Sequence, residues 1–395
     1  MGALDGLRII DLTRVLGGPY CAQILADHGA DVVKLEPPQG DEVRDWGPPF
    51  QDGLSAYFSG VNRNKRSLGL DLAQAEGREV LMTLLEGADV LMENFKPGTL
   101  EKWGIGYDDV LSKRFPKLVH CRISGFGGDG PFGGLPGYDA AIQAWTGLIS
   151  VNGSPDSGAI RLGIPLVDLG TGLYSAIGIL AALQERARSG KGQYVDVSLF
   201  DCGVAMQHPH APNFFQSGNA PKLTGNAHPN IYPYDLFATK GADLFLAVGN
   251  DRQFQRLMEI LGRPEVARDV RFLHNPDRSV NRVALDAILE PLCAEWDGLE
   301  LATKLLSSGV PAGAALTVPD VAQHPHTLAR EMVVSKGNYR GTGIPVKLSR
   351  TPGSVRSTPP DFGVDGRAIL REAGLDEDAI EKLYAAGITL EERRT

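Results

Sequence analysis

Residues 6–36 read GLRIIDLTRVLGGPYCAQILADHGADVVKLE, and their pattern decides the fold. Gly6 to Leu12 is an apolar run of strand length with two adjacent isoleucines, so it reads as a buried strand. The loop TRVLGG follows, and Pro19 suits the first turn of a helix running to about His28. Gly29 stops that helix, and Ala30 to Glu36 forms a second strand. The result is a βαβ unit, for which a right-handed crossover is expected.

The alternation continues along the chain. Ala75 to Glu86 is an amphipathic helix, ADVLMEN (88–94) a strand, Lys117 to Ser124 another, and Gly192 to Leu199 one more. The expected class is α/β, with a doubly wound parallel sheet in a large Rossmann-like domain. The character changes after residue 200. His208 to Asn230 is rich in Pro, Asn and His without a period, which reads as linker and loop. The boundaries expected are 1–200 for the first part of the large domain, 201–232 for a linker and 233–315 for a smaller α/β domain. Residues 316–395 then form a linker and a C-terminal return to the large domain. In the small domain YDLFATKG (234–241) and DLFLAVG (243–249) pair as a hairpin, followed by helices around Arg252–Leu261 and Asn281–Ser307. The return carries TGIPVKLS (342–349) as a candidate strand and a helix near Asp376–Ala386.

Composition narrows the class of function. The chain has 395 residues, 43% hydrophobic and 22% charged, ordinary for a globular enzyme. A net charge of −9 without a dense basic block argues against a nucleic-acid partner. The four cysteines are scattered and read as reduced thiols of a cytoplasmic protein. The start, MGALDGLRII, lacks the layout of a signal peptide, and no apolar run reaches the length of a membrane span.

Standard motifs are absent. The turn after the first strand lacks the G-x-G-x-x-G fingerprint, so hydride transfer on a dinucleotide is not expected, although Glu36 imitates its ribose-binding acid. What remains is a helix N-terminus at Pro19, suited to a phosphate or carboxylate. Arg14 in the same loop reads either as an added charge-assisted contact or as a surface cation. The histidines, including the H-P-H runs at His208 and His324, have no partners at metal-ligand spacing, and no metal is expected. VNRNKRSLGLDL (61–72) is a basic turn before a strand, either a solvated loop or a phosphate contact. ENFKPGTLEKWGIGY (93–107) is a strand end, a loop and a short helix, the place where an α/β sheet binds ligands.

A second stretch, RLGIPLVDLGTGLYSAIGILAALQERARSGKG (161–192), places the carboxylate of Asp168 after an apolar run and before a Gly-Thr-Gly turn. That turn opens a long apolar helix ending at Gly190. Asp168 therefore reads as an N-cap, whose position also suits chemistry at a helix N-terminus.

These residues resemble a known family. DLTRVLGGPYCAQILADHGADVVKLEPP, VNRNKRSLGLDL, ENFKPGTLEKWGIGY, SGFGGDGPFGGLPGYDAAIQAWTGL and SGKGQYVDVSLFD are similar to the CaiB/BaiF family, or family III CoA-transferases, and occur in family order. GNAHPNIYPYDLF and SGVPAGAALTVPDV look most similar to its succinyl-CoA–glutarate type. The resemblance implies a Rossmann-like domain built from both chain ends, a small α/β domain in the middle, and two ring-like subunits interlocked as a homodimer.

The resemblance also implies roles. Asp168 falls on the family's catalytic aspartate, which attacks a thioester and passes through an anhydride and an aspartyl-CoA thioester. Val15, Gly17, Leu70, Asn94 and Phe95 fall on CoA contacts, with Lys102 where some members have arginine. Pro37 stands where the formyl-CoA enzyme has an arginine. CoA and acyl-CoA enter as substrates, and no resident cofactor is implied. The alternative within the family is a 2-methylacyl-CoA racemase, which uses a histidine where this chain has Tyr138 before Asp139. A phenol, ordinarily titrating near pH 10, replaces an imidazole poorly. A protein that merely bound CoA would not need Asp168. Arg14, Tyr138, Asp139, His228 and Arg161 are candidates for contacting a small acid substrate of the dicarboxylate type.

Overall fold

The computed structural model describes residues 1–394. The chain forms two compact units, the first from Met1–Leu148, Leu162–His208 and Leu328 onward, the second from Ile149–Arg161 and Pro209–Thr327.

The first unit is built on six parallel strands: β1 (Arg8–Asp11), β2 (Asp31–Glu36), β3 (Lys65–Leu70), β4 (Val90–Glu93), β5 (Val119–Ser124) and β6 (Tyr194–Ser198). They lie in the order 3-2-1-4-5-6, with Thr389–Leu390 pairing antiparallel to β3 at one edge. This is the doubly wound order, and the strand sequence reverses between β1 and β4, where a crevice opens beyond the carboxyl ends. Helix α1 (Gly17–Asp27) is the first crossover, and helix α2 (Leu166–Ser189) lies on the same face. Ile9, Val32, Val90, Val119, Leu25 and Ile179 form that face's core, while Ile10, Val33, Leu68, Leu81 and Leu91 pack the other. The βαβ reading of residues 6–36 is seen directly.

Three expectations change here. The basic turn before β3 is neither solvated nor free for phosphate: Arg63 is buried and bidentate to Asp27 at 2.7 and 2.9 Å, and Lys65 is buried against Asp11 at 3.0 Å. Helix α2 is long and apolar enough to cross a membrane, with a mean hydropathy of 1.7 over its most apolar window, although no apolar run of that length was expected. Its apolar character comes from Leu, Ile and Val residues interspersed with small and polar ones, and it packs on α1, β5 and β6. Finally, TGIPVKLS forms no strand beyond Thr342; the hairpin there pairs Val333–Lys336 with Tyr339–Thr342. Pro345 has no N–H to extend a ladder.

The second unit has a three-stranded antiparallel sheet, Tyr234–Phe237, Leu244–Ala247 and Ala312–Ala314 in that order, so the hairpin at 234–249 forms. Helices Asp251–Ile260, Arg282–Ala294 and Gly298–Ser307 cover it around Tyr232, Phe237, Leu246, Phe254 and Leu257. The unit is wider than 233–315. Residues 149–161 join it, with the Gly225 N–H donating to the Gly153 carbonyl at 2.8 Å. The stretch expected as a linker contains helices Leu199–Ala205, capped by Ser198, and His210–Ser217.

Candidate active site

The crevice at the switch point is walled by the segment after β5, by the start of α2 and by two loops, one after β1 and one after β4. The two loops are tied together at Asn94, whose Oδ1 accepts from the Arg14 N–H at 3.0 Å and whose Nδ2 donates to the Arg14 carbonyl at 2.9 Å. Val15 sits at φ 72°, a left-handed conformation that a β-branched residue adopts only when its surroundings impose it. Buried charges impose it. Lys34 donates to the Thr13 carbonyl at 2.8 Å and to Asp41 at 2.9 Å, and Asp41 accepts the Val15 N–H at 3.2 Å. Beneath them Lys65 bridges Asp11, Asn62 and the Pro19 carbonyl, and burial pushes its ammonium down to about 8.

Helix α1 begins at Gly17, so the Gly17 and Gly18 N–H groups have no acceptor within the helix. Glycine at this crossing allows α2 to approach. A Cβ on Gly172 would stand 2.7 Å from the Gly17 carbonyl oxygen, and one on Gly17 would stand 3.2 Å from the Asp168 carbonyl oxygen. The Gly-Thr-Gly segment is thus helical and serves close packing; it is not the turn expected from sequence.

Asp168 is correspondingly inside α2, in its first turn, and caps nothing with its side chain. The capping carboxylate is that of Asp139. Its Oδ1 accepts the N–H of Val167 at 2.8 Å and of Asp168 at 3.2 Å, while Oδ2 accepts from Gln143 Nε2 at 2.6 Å. Gln143 in turn accepts the Leu162 N–H, which fixes the chain entering α2. Asp168, freed of capping, lines the crevice and is half-buried. Burial first, and the neighbouring Asp139 charge second, push its carboxyl up from 3.8 to about 7. Tyr57 is pushed up to about 12 by burial and then by the charges of Asp168, Asp139 and Asp41.

The crevice, about 320 Å³, brings together Arg14, Val15, Gly17, Asn94, Phe95, Tyr138 and Asp168 from the residues singled out by sequence. No carboxylate among the described residues pairs with the Arg14 guanidinium. A second cavity of about 330 Å³, over β1, β2 and β3, is lined by Leu70 and again by Arg14 and Phe95. Lys102 lines neither; it ends the short helix Thr99–Lys102 and is exposed, while its neighbour Trp103 stacks edge-on to Phe95 at 5.4 Å and faces the second cavity. Asp139 is buried under α2 and lines neither cavity. His228 and Arg161 belong to the second unit, where His228 Nδ1 accepts the Asn230 N–H at 3.0 Å and its ring packs on Tyr234. Sequence reasoning missed Tyr57, Asp41 and Arg394. Asp41, followed by a charged turn, carried a capping signal; the other two carried none.

The chain matches CoA-transferase family III over residues 4–366. It is 39% identical over 381 residues to the succinate–glutarate CoA-transferase of Agrobacterium fabrum, covering 93% of this chain and 95% of that protein. It is 40% identical over 379 residues to the acetyl-CoA:oxalate CoA-transferase of Acetobacter aceti, covering 95% and 97%. Among solved structures, a CaiB/BaiF family protein from Brucella suis superposes with a TM-score of 0.84 at 42% identity, covering 94% of this chain and 99% of that one. With a doubly wound sheet, a carboxylate in its switch-point crevice and likeness along nearly its full length, this chain belongs to the family III CoA-transferases, the CaiB/BaiF family.

Proposed function

We propose that this protein moves CoA between small carboxylic acids, with the Asp168 carboxylate as covalent nucleophile. The observation that carries the reading is Asp168 itself: half-buried, uncommitted to capping, and lying against the N-terminus of α1. An Asp168 oxygen attacks the thioester carbonyl carbon, the C–S bond breaks and CoA leaves as thiolate, giving a mixed anhydride. The thiolate then attacks the Asp168 acyl carbon and releases the donor acid, leaving an aspartyl-CoA thioester. The acceptor carboxylate attacks that thioester, CoA thiolate leaves again, and its attack on the acceptor's acyl carbon returns Asp168. A thiolate is a fair leaving group without a metal.

Each tetrahedral intermediate carries an oxyanion, for which the Gly17 and Gly18 N–H groups are the nearest helix-terminal donors. Val15, Gly17, Asn94, Phe95 and Leu70 hold the CoA moiety in this reading. Arg14, with no carboxylate partner among the described residues, receives the far carboxylate of a dicarboxylate acid, and the two transferases named above act, by their names, on glutarate or oxalate. Tyr138 lines the crevice where a racemase needs an imidazole, and α-proton exchange is not expected. Four buried free cysteines suit the reducing cytoplasm. Leu173, Tyr174, Ile177 and Leu180 form an exposed apolar face on α2, each at least 41% exposed, which a second copy of the chain covers in the homodimer we propose.

Incubation with acyl-CoA and hydroxylamine tests the nucleophile: Asp168 becomes a hydroxamate detectable in its peptide mass. Near wild-type turnover by Asp168→Ala overturns the proposal.

A further inference from the structure

The second cavity has an unusual wall. Leu12, Leu35, Leu70, Leu72, Phe95 and Trp103 make it an apolar slot with aromatic rings at one side, while its lining cations among the described residues are Arg14 and Arg394. Arg14 also faces the crevice that holds Asp168. Arg394 is therefore the cation that belongs to the slot alone, and it comes from the far end of the chain.

The segment bearing it is pinned in place. The Arg394 N–H donates to the Pro38 carbonyl at 2.8 Å, and Arg393 holds both oxygens of Asp45 at 2.8 and 2.9 Å. These contacts lay residues 393 and 394 over the turn that follows β2, and Pro37 and Pro38 of that turn line the slot. The Arg394 guanidinium is only lightly engaged. One nitrogen donates to the Gly387 carbonyl at 2.7 Å, another stands 3.6 Å from Asp71, and the side chain is 48% exposed. A guanidinium has five N–H donors in a planar fork, so most remain for a ligand.

We propose that Arg394 is a binding residue for a phosphate of the CoA nucleotide, with residues 393–394 acting as a strap that carries it to the slot. The inference rests on the CoA-transferase reading above. Its chemistry is that of the ligand: a flat, apolar base fits between leucines and aromatic rings, and the adjoining phosphates need a planar donor fork. Arg393 only anchors the strap, through Asp45.

Titration calorimetry with CoA and with pantetheine, which lacks the nucleotide, tests this directly. Arg394→Ala should raise the Kd for CoA about five- to twentyfold, as expected for losing a charge-assisted contact at a partly exposed site, and leave pantetheine binding unchanged. Arg394→Lys should recover part of the loss, and Arg393→Ala should cost less than Arg394→Ala. In turnover, Arg394→Ala should raise the KM for acyl-CoA with little change in kcat or in the KM for the acid. Unchanged CoA affinity in Arg394→Ala, or an equal loss for CoA and pantetheine, overturns the assignment. A wild-type protein that fails to bind CoA overturns the functional reading instead, so the two failures are distinguishable.

Discussion

The carboxyl of Asp168 titrates near 7 in the folded chain against an ordinary value of 3.8, and this has a consequence for stability as well as rate. In the unfolded chain the group ionises above about pH 4, whereas in the folded chain it stays protonated until about pH 7. Folding therefore takes up a proton between those values, and stability falls as pH rises through that window. Below it the group costs nothing; above it the full penalty of an ionised, half-buried carboxylate beside Asp139 is present. Displacement from 3.8 to about 7 corresponds to about 4 kcal/mol at most. The crevice is open to water, so roughly 1–2 kcal/mol is the expected cost. Asp168→Asn removes the charge at nearly constant shape. Denaturant unfolding of both proteins at pH 5 and pH 8 should show the variant gaining on the wild type as pH rises. Any constant effect of the new amide cancels in that difference. A gap that is the same at both pH values, or that shrinks at pH 8, refutes the reasoning. The same titration sets activity: only the ionised carboxylate attacks, so kcat/KM for acyl-CoA should rise with pH through about 7.

Two further outcomes follow from neighbouring residues. Asp139→Ala removes the acceptor for the Val167 and Asp168 N–H groups and should cost about 1–3 kcal/mol. Asp139→Asn keeps an acceptor oxygen for the two backbone N–H groups but turns an amide NH2 against Gln143 Nε2, so it should recover only part of that loss. Both variants should nonetheless move the acid limb of the pH–rate profile downward, because a charge that raises Asp168 is gone; an unmoved limb contradicts the coupling. Ile177→Arg, on the exposed apolar face of α2, should shift sedimentation from dimer to monomer, and a wild type that sediments as a monomer at micromolar concentration removes the dimer proposal.

Much of this protein was legible locally. The strand, helix and strand of residues 6–36 are written in apolar runs punctuated by Pro19 and Gly29, because a helix and a strand each impose their period on neighbouring residues. The local pattern marks Asp168 and the loops that carry Val15, Gly17, Asn94 and Phe95 as helix starts and strand ends suited to ligands, while the roles of the individual residues came only from the resemblance to a family. The tertiary structure decided what depends on residues distant in the chain. Asp139, on another helix, takes the capping role that the local pattern assigns to Asp168, and so leaves that carboxylate free. Arg63 and Lys65, read as part of a solvated loop or a phosphate contact, are buried because Asp27 and Asp11 are folded against them and offset their desolvation. Lys102 faces solvent while Arg394, from the opposite end of the chain, lines the slot. A charged side chain says nothing in sequence about its partner. Its environment is set by which strands pair and which helices cross, and there the glycines at 17 and 172 let two helices close to a distance that no local pattern encodes.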